Sequence, residues 1–434
     1  MGGLSLAVAL SLILAFFLVM VVKRSGYRPA PGQLSSLFWT VCALGFAISM
    51  ISQPKEVFAG ATMGLKTWWN IVFPSLLPFF IASELLMSFG LVNFIGIMMG
   101  PLMRPLFNVP GCGSFVLCIG YTSGFPIGAM VTARLRSQKL CTRIEAERLV
   151  SFTSNSSPLF MTVAVSVGMF GRPDLAVAIA GAHYLSNLTI GLAMRFYGRN
   201  DREVLPVKSI PLGSTPERAF RELASAWGKE SRPLGKIIGD AVRSAINSLF
   251  AICGFIILFA VIIRLISIAG LISLMAGFLN YILSPLGFSP EIMTSLASGF
   301  FEMTIGCKMV CETTAPLLQQ VAAVEILLAW SGLSVIAQVA GMISETDIRI
   351  LPFIIARAAH AFLAALYTIF LFSPSISHSA ELLRPATATL ERIYQAPTLI
   401  ANFELSGVLL LLMTAALLLL SAIFFTLRKV RIYF

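Results

Sequence analysis

The chain has 434 residues, of which 57% are apolar and only 12% charged, and its mean hydropathy is +0.88. A soluble chain of this length would carry far more charge, so the composition points to an all-α polytopic membrane protein built from runs of roughly 20 apolar residues. The net charge of +11 does not call for nucleic acid, because the lysines and arginines sit mainly between the apolar runs, where they report topology.

The first apolar run covers residues 3–22 and is followed, not preceded, by Lys23, Arg24 and Arg28. That is the wrong order for a cleaved signal peptide, so a retained helix with its N-terminus outside is expected. Further spans are expected at 34–51, 71–89, 149–171, 174–196, 245–268, 320–343, 350–372 and 405–427, making about nine. The shorter stretches 92–107 and 271–288 are interrupted by glycine and proline and read as interfacial helices. Segments 112–138 and 291–316 have glycine-rich polar centres and read as two re-entrant hairpins, a backbone tolerated at membrane depth only inside protein or beside a wet cavity.

With the N-terminus outside, twenty-three of the thirty-one lysines and arginines fall on the cytoplasmic face and seven on the outer face, the sense the positive-inside rule demands. Arg357 is left inside a helix. The order interfacial helix, hairpin, span, span occurs over 92–196 and again over 271–372. The two sets start on opposite faces, which makes an inverted repeat, a plan that places a substrate site near the midplane. Residues 199–240 form a polar cytoplasmic linker in which 216–228 suit a short amphipathic helix, and 373–404 form an outer loop.

Candidate site residues cluster at the helix breaks. The first hairpin tip reads GYTSGFPIG over 120–128, with Tyr121, Thr122, Ser123 and Gly124 at the turn and a half-helix starting near Pro126 whose positive end suits an anion. A kinked helix packed on its neighbours is the bland alternative. The second tip holds Glu302, Thr304 and Gly306; a carboxylate at this depth is costly to insert and suits a cation, a proton, a substrate hydrogen bond or a pair with Arg357. Ser154, Asn155, Ser156 and Ser157 precede Pro158, which frees helix carbonyls, and Ser331, Gly332, Ser334 and Gln338 occupy the matching place in the second set. Serines that merely ease helix packing are the alternative there. Arg357 and His360 share a helix face, as do His183 and Asn187. A buried arginine suits a carboxylate or phosphate; the alternatives are neutralisation by Glu302 or capping by carbonyls, and for His183 a satisfied core histidine. The seven scattered cysteines suggest neither disulfides nor a metal site. No Walker A or HExxH motif is present, so an enzyme is not expected, nor is a cofactor.

The segments NIVFPSLLPFF at 70–80, GYTSGFPIGA at 120–129, SNSSPLF at 154–160 and GFFEMTIG at 299–306 together resemble the sporulation integral membrane family typified by YlbJ. That family carries nucleoside-recognition or gate-type repeats and is similar in plan to concentrative nucleoside transporters. The resemblance runs over roughly residues 35–375. It divides the chain into N-terminal helices (1–70), a first gate-type repeat (71–198), a linker (199–244), a second, inverted repeat (245–372), the outer loop and a C-terminal helix (405–434). It implies a secondary transporter that moves dipicolinic acid, a small anionic aromatic carboxylate, across the outer forespore membrane; the cytoplasmic C-terminus follows instead from nine crossings and the charge count. The tips would form a gate and Arg357 would hold carboxylate. Lys308, following the second tip, receives no role. A nucleoside or nucleobase transporter and a non-transporting spore-envelope assembly protein are the other readings. Expected partners are the anionic substrate, a coupling proton or cation, the lipid bilayer and further copies of the chain.

Overall fold

The computed structural model describes residues 31–199 and 232–372, together with Glu203 and positions Glu217, Ala219, Phe220, Arg221, Leu223 and Ala224. The expected first and last spans and the outer loop lie outside these residues. Those six linker positions are all helical and fall within the amphipathic helix expected at 216–228.

Every regular element among the described residues is helical. Helix α1 (Pro31–Ser52) leads into α2 (Pro54–Thr67), a π-turn (Trp68–Val72) and α3 (Phe73–Ser88), which run on as one rod. The expected span at 71–89 is therefore only the second half of a longer helix that starts at Pro54, a residue suited to the first turn of a helix because its missing N–H is not needed there. Next come α4 (Leu91–Phe107), α5 (Gly113–Ser123) and α6 (Ile127–Ser137). Helix α7 (Arg143–Thr153) is closed by a reciprocal capping box between Thr142 and Glu145. An extended break at 154–157 separates it from a π-helical segment (Phe160–Met169), and α8 (Ala176–Met194) follows.

The second half opens with α9 (Leu234–Ile268), then α10 (Leu271–Leu283), α11 (Pro290–Phe301), α12 (Met303–Cys311), α13 (Leu317–Trp330), α14 (Gly332–Ile343) and α15 (Leu351–Phe372). The order of elements from α4 to α8 recurs from α10 to α15. Among the described residues, five helices are long and apolar enough to cross a membrane: Pro54–Ser88, Pro173–Met194, Leu234–Ile268, Leu317–Ile343 and Leu351–Ile369.

Two expected spans differ in a way that matters. The stretch 149–171 is not one helix but α7 and the π-segment meeting at a break, and 320–343 is likewise divided at Ser331. Helix α9 starts eleven residues before the expected 245. Its polar first turns hide the span from hydropathy, yet Ile237, Ala241, Ala245, Leu249 and Cys253 repeat every four residues and are all buried. At 35 residues α9 is about 50 Å long, well beyond a hydrocarbon core of about 30 Å. It packs against α2 where Gly60 and Gly64 let the backbones close up: a Cβ on Gly64 would lie 3.0 Å from that of Ala260. The Trp68 indole donates to the Leu249 carbonyl at 3.1 Å and fixes the register of this pair.

Helices α7, α8, α13 and α15 pack together at the centre, with the two sets of half-helices, α5–α6 and α11–α12, beside them. Ion pairs tie the ends together. Arg136 at the end of α6 grips Asp347 through two bonds of 2.8 Å and also reaches Glu203 at 2.6 Å. Arg349 grips Glu147 at 2.7 and 3.0 Å, and Arg104 pairs with Glu145. These positively charged residues all belong to the set that the charge count placed on one face. Arg264 pairs with Glu56 at 2.6 Å, and Arg264 belongs to the other set.

Candidate functional site

Four helix breaks converge. In the first half, α5 ends where Gly124 turns with φ 74°, and α6 begins after Phe125 and Pro126. No side chain caps the start of α6, so that end keeps its partial positive charge. Gly124 sits against the second break of the same half: a Cβ there would lie 2.9 Å from the Ser157 nitrogen. In the second half α11 and α12 meet at Glu302, whose carboxylate accepts a 2.7 Å bond from the Ile305 N–H. Glu302 therefore neutralises the start of its own half-helix. Ser331 and Gly332 both adopt positive φ (70° and 78°), and a Cβ on Gly332 would lie 2.9 Å from the Met303 nitrogen. In each half, then, the hairpin tip touches the break in the neighbouring span through a glycine.

Between these breaks lies a cavity of about 50 Å³. Ser123, Gly124, Ser156 and Ser157 line it from one half, and Glu302, Thr304, Ser334 and Gln338 from the other. Its apolar wall is made by Phe80, Phe125, Phe160 and Phe255 together with aliphatic residues such as Leu76, Ile252 and Met303. A water needs on the order of 10–15 Å³ by this measure, so the cavity has room for a few waters; an aromatic acid would require the tips to separate. The hydroxyls of Ser156 and Ser334 are buried and have no partner in the protein. Ser123 is already paired with Ser83 at 2.8 Å, and Ser157 accepts from the Phe160 N–H at 3.3 Å.

The remaining sequence candidates lie elsewhere. Thr122 bonds back to its own helix at Cys118. Gly306 packs against Gly299, where even a methyl group would collide, so its smallness serves the α11–α12 crossing. Ser154 and Asn155 are fully buried beside the cavity, their side chains unpartnered. Arg357 does not line the cavity and does not pair with Glu302. Its Nη2 donates to the Ser151 carbonyl and, at 3.0 Å, to Asn187 Oδ1. This is the carbonyl-capped arrangement. Asn187 passes the connection on through Nδ2 to the Tyr121 hydroxyl and the Phe152 carbonyl, both at 2.7 Å. Tyr121 stacks on Tyr184, which donates to the Ser156 carbonyl at 3.2 Å. His360 lies 3.0 Å from the His183 carbonyl, and the two imidazoles are 4.6 Å apart.

One member of this inner group was missed by sequence reasoning. Glu325 on α13 is fully buried and stands 3.4 Å from His183 Nδ1, an ion-pair separation without hydrogen-bond geometry. Its signal was available: a lone carboxylate within an apolar run, of the same kind that singled out Glu302. No cluster of three or more metal-ligating side chains occurs among the described residues.

Comparison with known proteins places this geometry in context. Residues 70–173, which include the first hairpin and the 154–157 break, match the Gate family model, described as nucleoside recognition. Over 343 residues, 79% of this chain and 84% of the relative, the sequence is 48% identical to the sporulation integral membrane protein YlbJ of Bacillus subtilis (strain 168). It is 31% identical over 156 residues to an uncharacterized protein of Alkalihalophilus pseudofirmus, covering 33% of this chain and 34% of that one. A solved structure of a CNTnw variant in its intermediate 1 state aligns with a TM-score of 0.46 and 14% identity, covering 85% of this chain and 91% of that one.

Proposed function

We propose that this chain, which belongs to the family of the sporulation integral membrane protein YlbJ, is a secondary transporter rather than an enzyme. Its substrate is a small anionic aromatic carboxylate, dipicolinic acid being the leading candidate. The observation that carries this reading is the cavity at the meeting point of four helix breaks, lined by four phenylalanines among other apolar residues and by two serines whose buried hydroxyls are unpartnered. Rings stack on a flat aromatic substrate. Hydroxyls and the uncapped start of α6 donate to a carboxylate, as helix N-termini do for anions. The recurrence of elements from α4–α8 in α10–α15 is read as an inverted repeat whose tips part alternately toward either side.

The membrane is the outer forespore membrane, with the N-terminus outside and the C-terminus cytoplasmic, in keeping with the charge distribution. Labelling of single cysteines placed in 217–224 and at the C-terminus tests that orientation; finding either position outside would overturn it. Uptake of dipicolinate into vesicles carrying the full chain, against a nucleoside as competitor, tests the substrate. A second reading is favoured by one feature of the wall: among the described residues it contains Glu302 and Gln338 but no arginine, and a carboxylate and an amide suit ribose and base edges. Uptake of nucleoside without dipicolinate would select it. Absence of flux of either kind would point to a non-transporting assembly role.

A further inference from the structure

Glu325 is fully buried in α13, and neither of its carboxylate oxygens has a hydrogen-bond partner in the protein. A lone carboxylate in such surroundings is costly unless it is neutralised. The group directly opposite is His183 on α8, with Nδ1 at 3.4 Å and both ring nitrogens otherwise unpartnered. His360 on α15 packs on His183, and its Nε2 faces the His183 carbonyl at 3.0 Å. A carbonyl only accepts, so this contact makes Nε2 the hydrogen-bearing nitrogen and leaves Nδ1, which is buried and unpartnered, as an open acceptor.

Of the other ionisable groups on the packed helices, Tyr184 on α8 and Cys307 on α12 lie near Glu325, and Arg357 on α15 lies near His183 and His360. Glu291, the acidic residue of α11, is turned to Thr314. None of the three members of the group lines the substrate cavity.

We infer that Glu325, His183 and His360 form a proton-binding site, separate from the cavity, that supplies the coupling ion for transport. A proton from the bulk adds to the Glu325–His183 pair and is held between a carboxylate oxygen and Nδ1. No bond to carbon forms or breaks. With Arg357 counted, the group passes from neutral to singly positive, which offsets one charge of an entering carboxylate.

The path to the cavity is built in. Tyr184 meets the His183 ring edge-on at 5.8 Å and donates to the carbonyl of Ser156, a wall residue. Arg357 reaches Tyr121 through Asn187. Movement of His183 on protonation is therefore felt at the 154–157 break.

The use of this site rests on the transporter reading, but its existence does not, and the test separates the two. Infrared spectra of the full chain in phosphatidylcholine vesicles, taken over a pH series, are expected to show a protonated-carboxyl band that titrates. The band should persist in Glu302→Gln and vanish in Glu325→Gln. A band that does not titrate, or one lost only in Glu302→Gln, overturns the site. Dipicolinate entry, followed with a pH dye sealed inside the same vesicles, is expected to acidify the lumen. That signal should fall about tenfold or more in Glu325→Gln and be partly restored in Glu325→Asp. Dipicolinate entry without acidification overturns the coupling and leaves the transporter reading intact. A titrating Glu325 band without dipicolinate entry supports the proton site and removes the transporter reading.

Discussion

At the first hairpin, Gly124, Phe125 and Pro126 separate the two half-helices, and no side chain is offered to the start of α6; at the second, Glu302 alone separates α11 from α12 and closes the start of α12 with its own carboxylate. The neighbouring spans differ in the same sense. The first is interrupted over residues 154–157, where Ser154, Asn155 and Ser156 have buried, unpartnered side-chain atoms, while the second turns over the left-handed pair Ser331–Gly332. The second half closes the start of α12 with Glu302 yet leaves the Ser334 hydroxyl unpartnered, while the first leaves the start of α6 without a side-chain cap and the Ser156 hydroxyl unpartnered, so the halves differ in how the hairpin tip is closed and both contribute polar groups to the cavity wall.

Effects as large as any should come from the glycines through which tip and span touch. Gly124→Ala and Gly332→Ala each place a Cβ 2.9 Å from a backbone nitrogen at positive φ. Each should destabilise the protein by about 1–3 kcal/mol, read as a lowered Tm in detergent. Wild-type Tm in both would break the claim that the tips rest on the spans.

Arg357 sharpens the comparison next, because it joins the halves. Arg357→Gln strips a charged donor from the Ser151 carbonyl and Asn187, a loss of about 1.5–3 kcal/mol. Arg357→Lys should lose less, since it keeps the charge without the planar fork. Glu302→Gln added to Arg357→Gln should give additive losses, because the two side chains are not paired. Recovery of stability and dipicolinate uptake in the double variant would show instead a charge pair across the halves.

The third test contrasts a closed terminus with an open one. Glu302→Ala removes a cap and should cost about 0.5–2 kcal/mol of stability. Ser156→Ala removes a hydroxyl with no protein partner, so stability should stay within about 0.5 kcal/mol. On the proposed function, the KM for dipicolinate should rise about three- to tenfold. A loss of stability in Ser156→Ala with unchanged KM would reverse the assignment.

The smallest effect is expected at the ion pair between the halves. Hydrogen bonding from Arg136 holds the Asp347 carboxyl below the usual carboxylate range. A lowered folded-state value means that the pair stabilises above the ordinary Asp range and that its contribution disappears as pH falls through the lowered value. Asp347 is half-exposed, so Asp347→Asn should cost less than about 1 kcal/mol near neutrality and nothing in acid. Unfolding of both forms over a pH series checks this; equal losses at every pH would exclude the pair.

Much of this frame was legible in the residues. Gly124, Pro126, Pro158 and Gly332 interrupt apolar runs, and helix continuity is a local property, so breaks can be found one residue at a time. The start of α9 was not legible from hydropathy, because Lys236, Asp240 and Arg243 mask a four-residue repeat of buried positions. The roles of the polar residues were less legible still. Glu302 reads as a free carboxylate until the Ile305 amide is seen against it, and Gly306 reads as a tip residue until Gly299 is seen beneath it.

The sequence by itself determined a helical membrane chain, its hairpin tips and the break before Pro158, and the inward placement of Arg357, His360 and His183, because hydropathy, backbone freedom and the cost of burying charge act on each segment separately. Only the tertiary structure decided partners. It set Arg357 on Ser151 and Asn187 rather than on Glu302, brought Glu325 from α13 to His183 on α8, and left the Ser156 and Ser334 hydroxyls facing one cavity. The physical reason is that hydrogen bonds and ion pairs act over about 3–4 Å, and which groups come that close depends on how helices far apart in the chain pack.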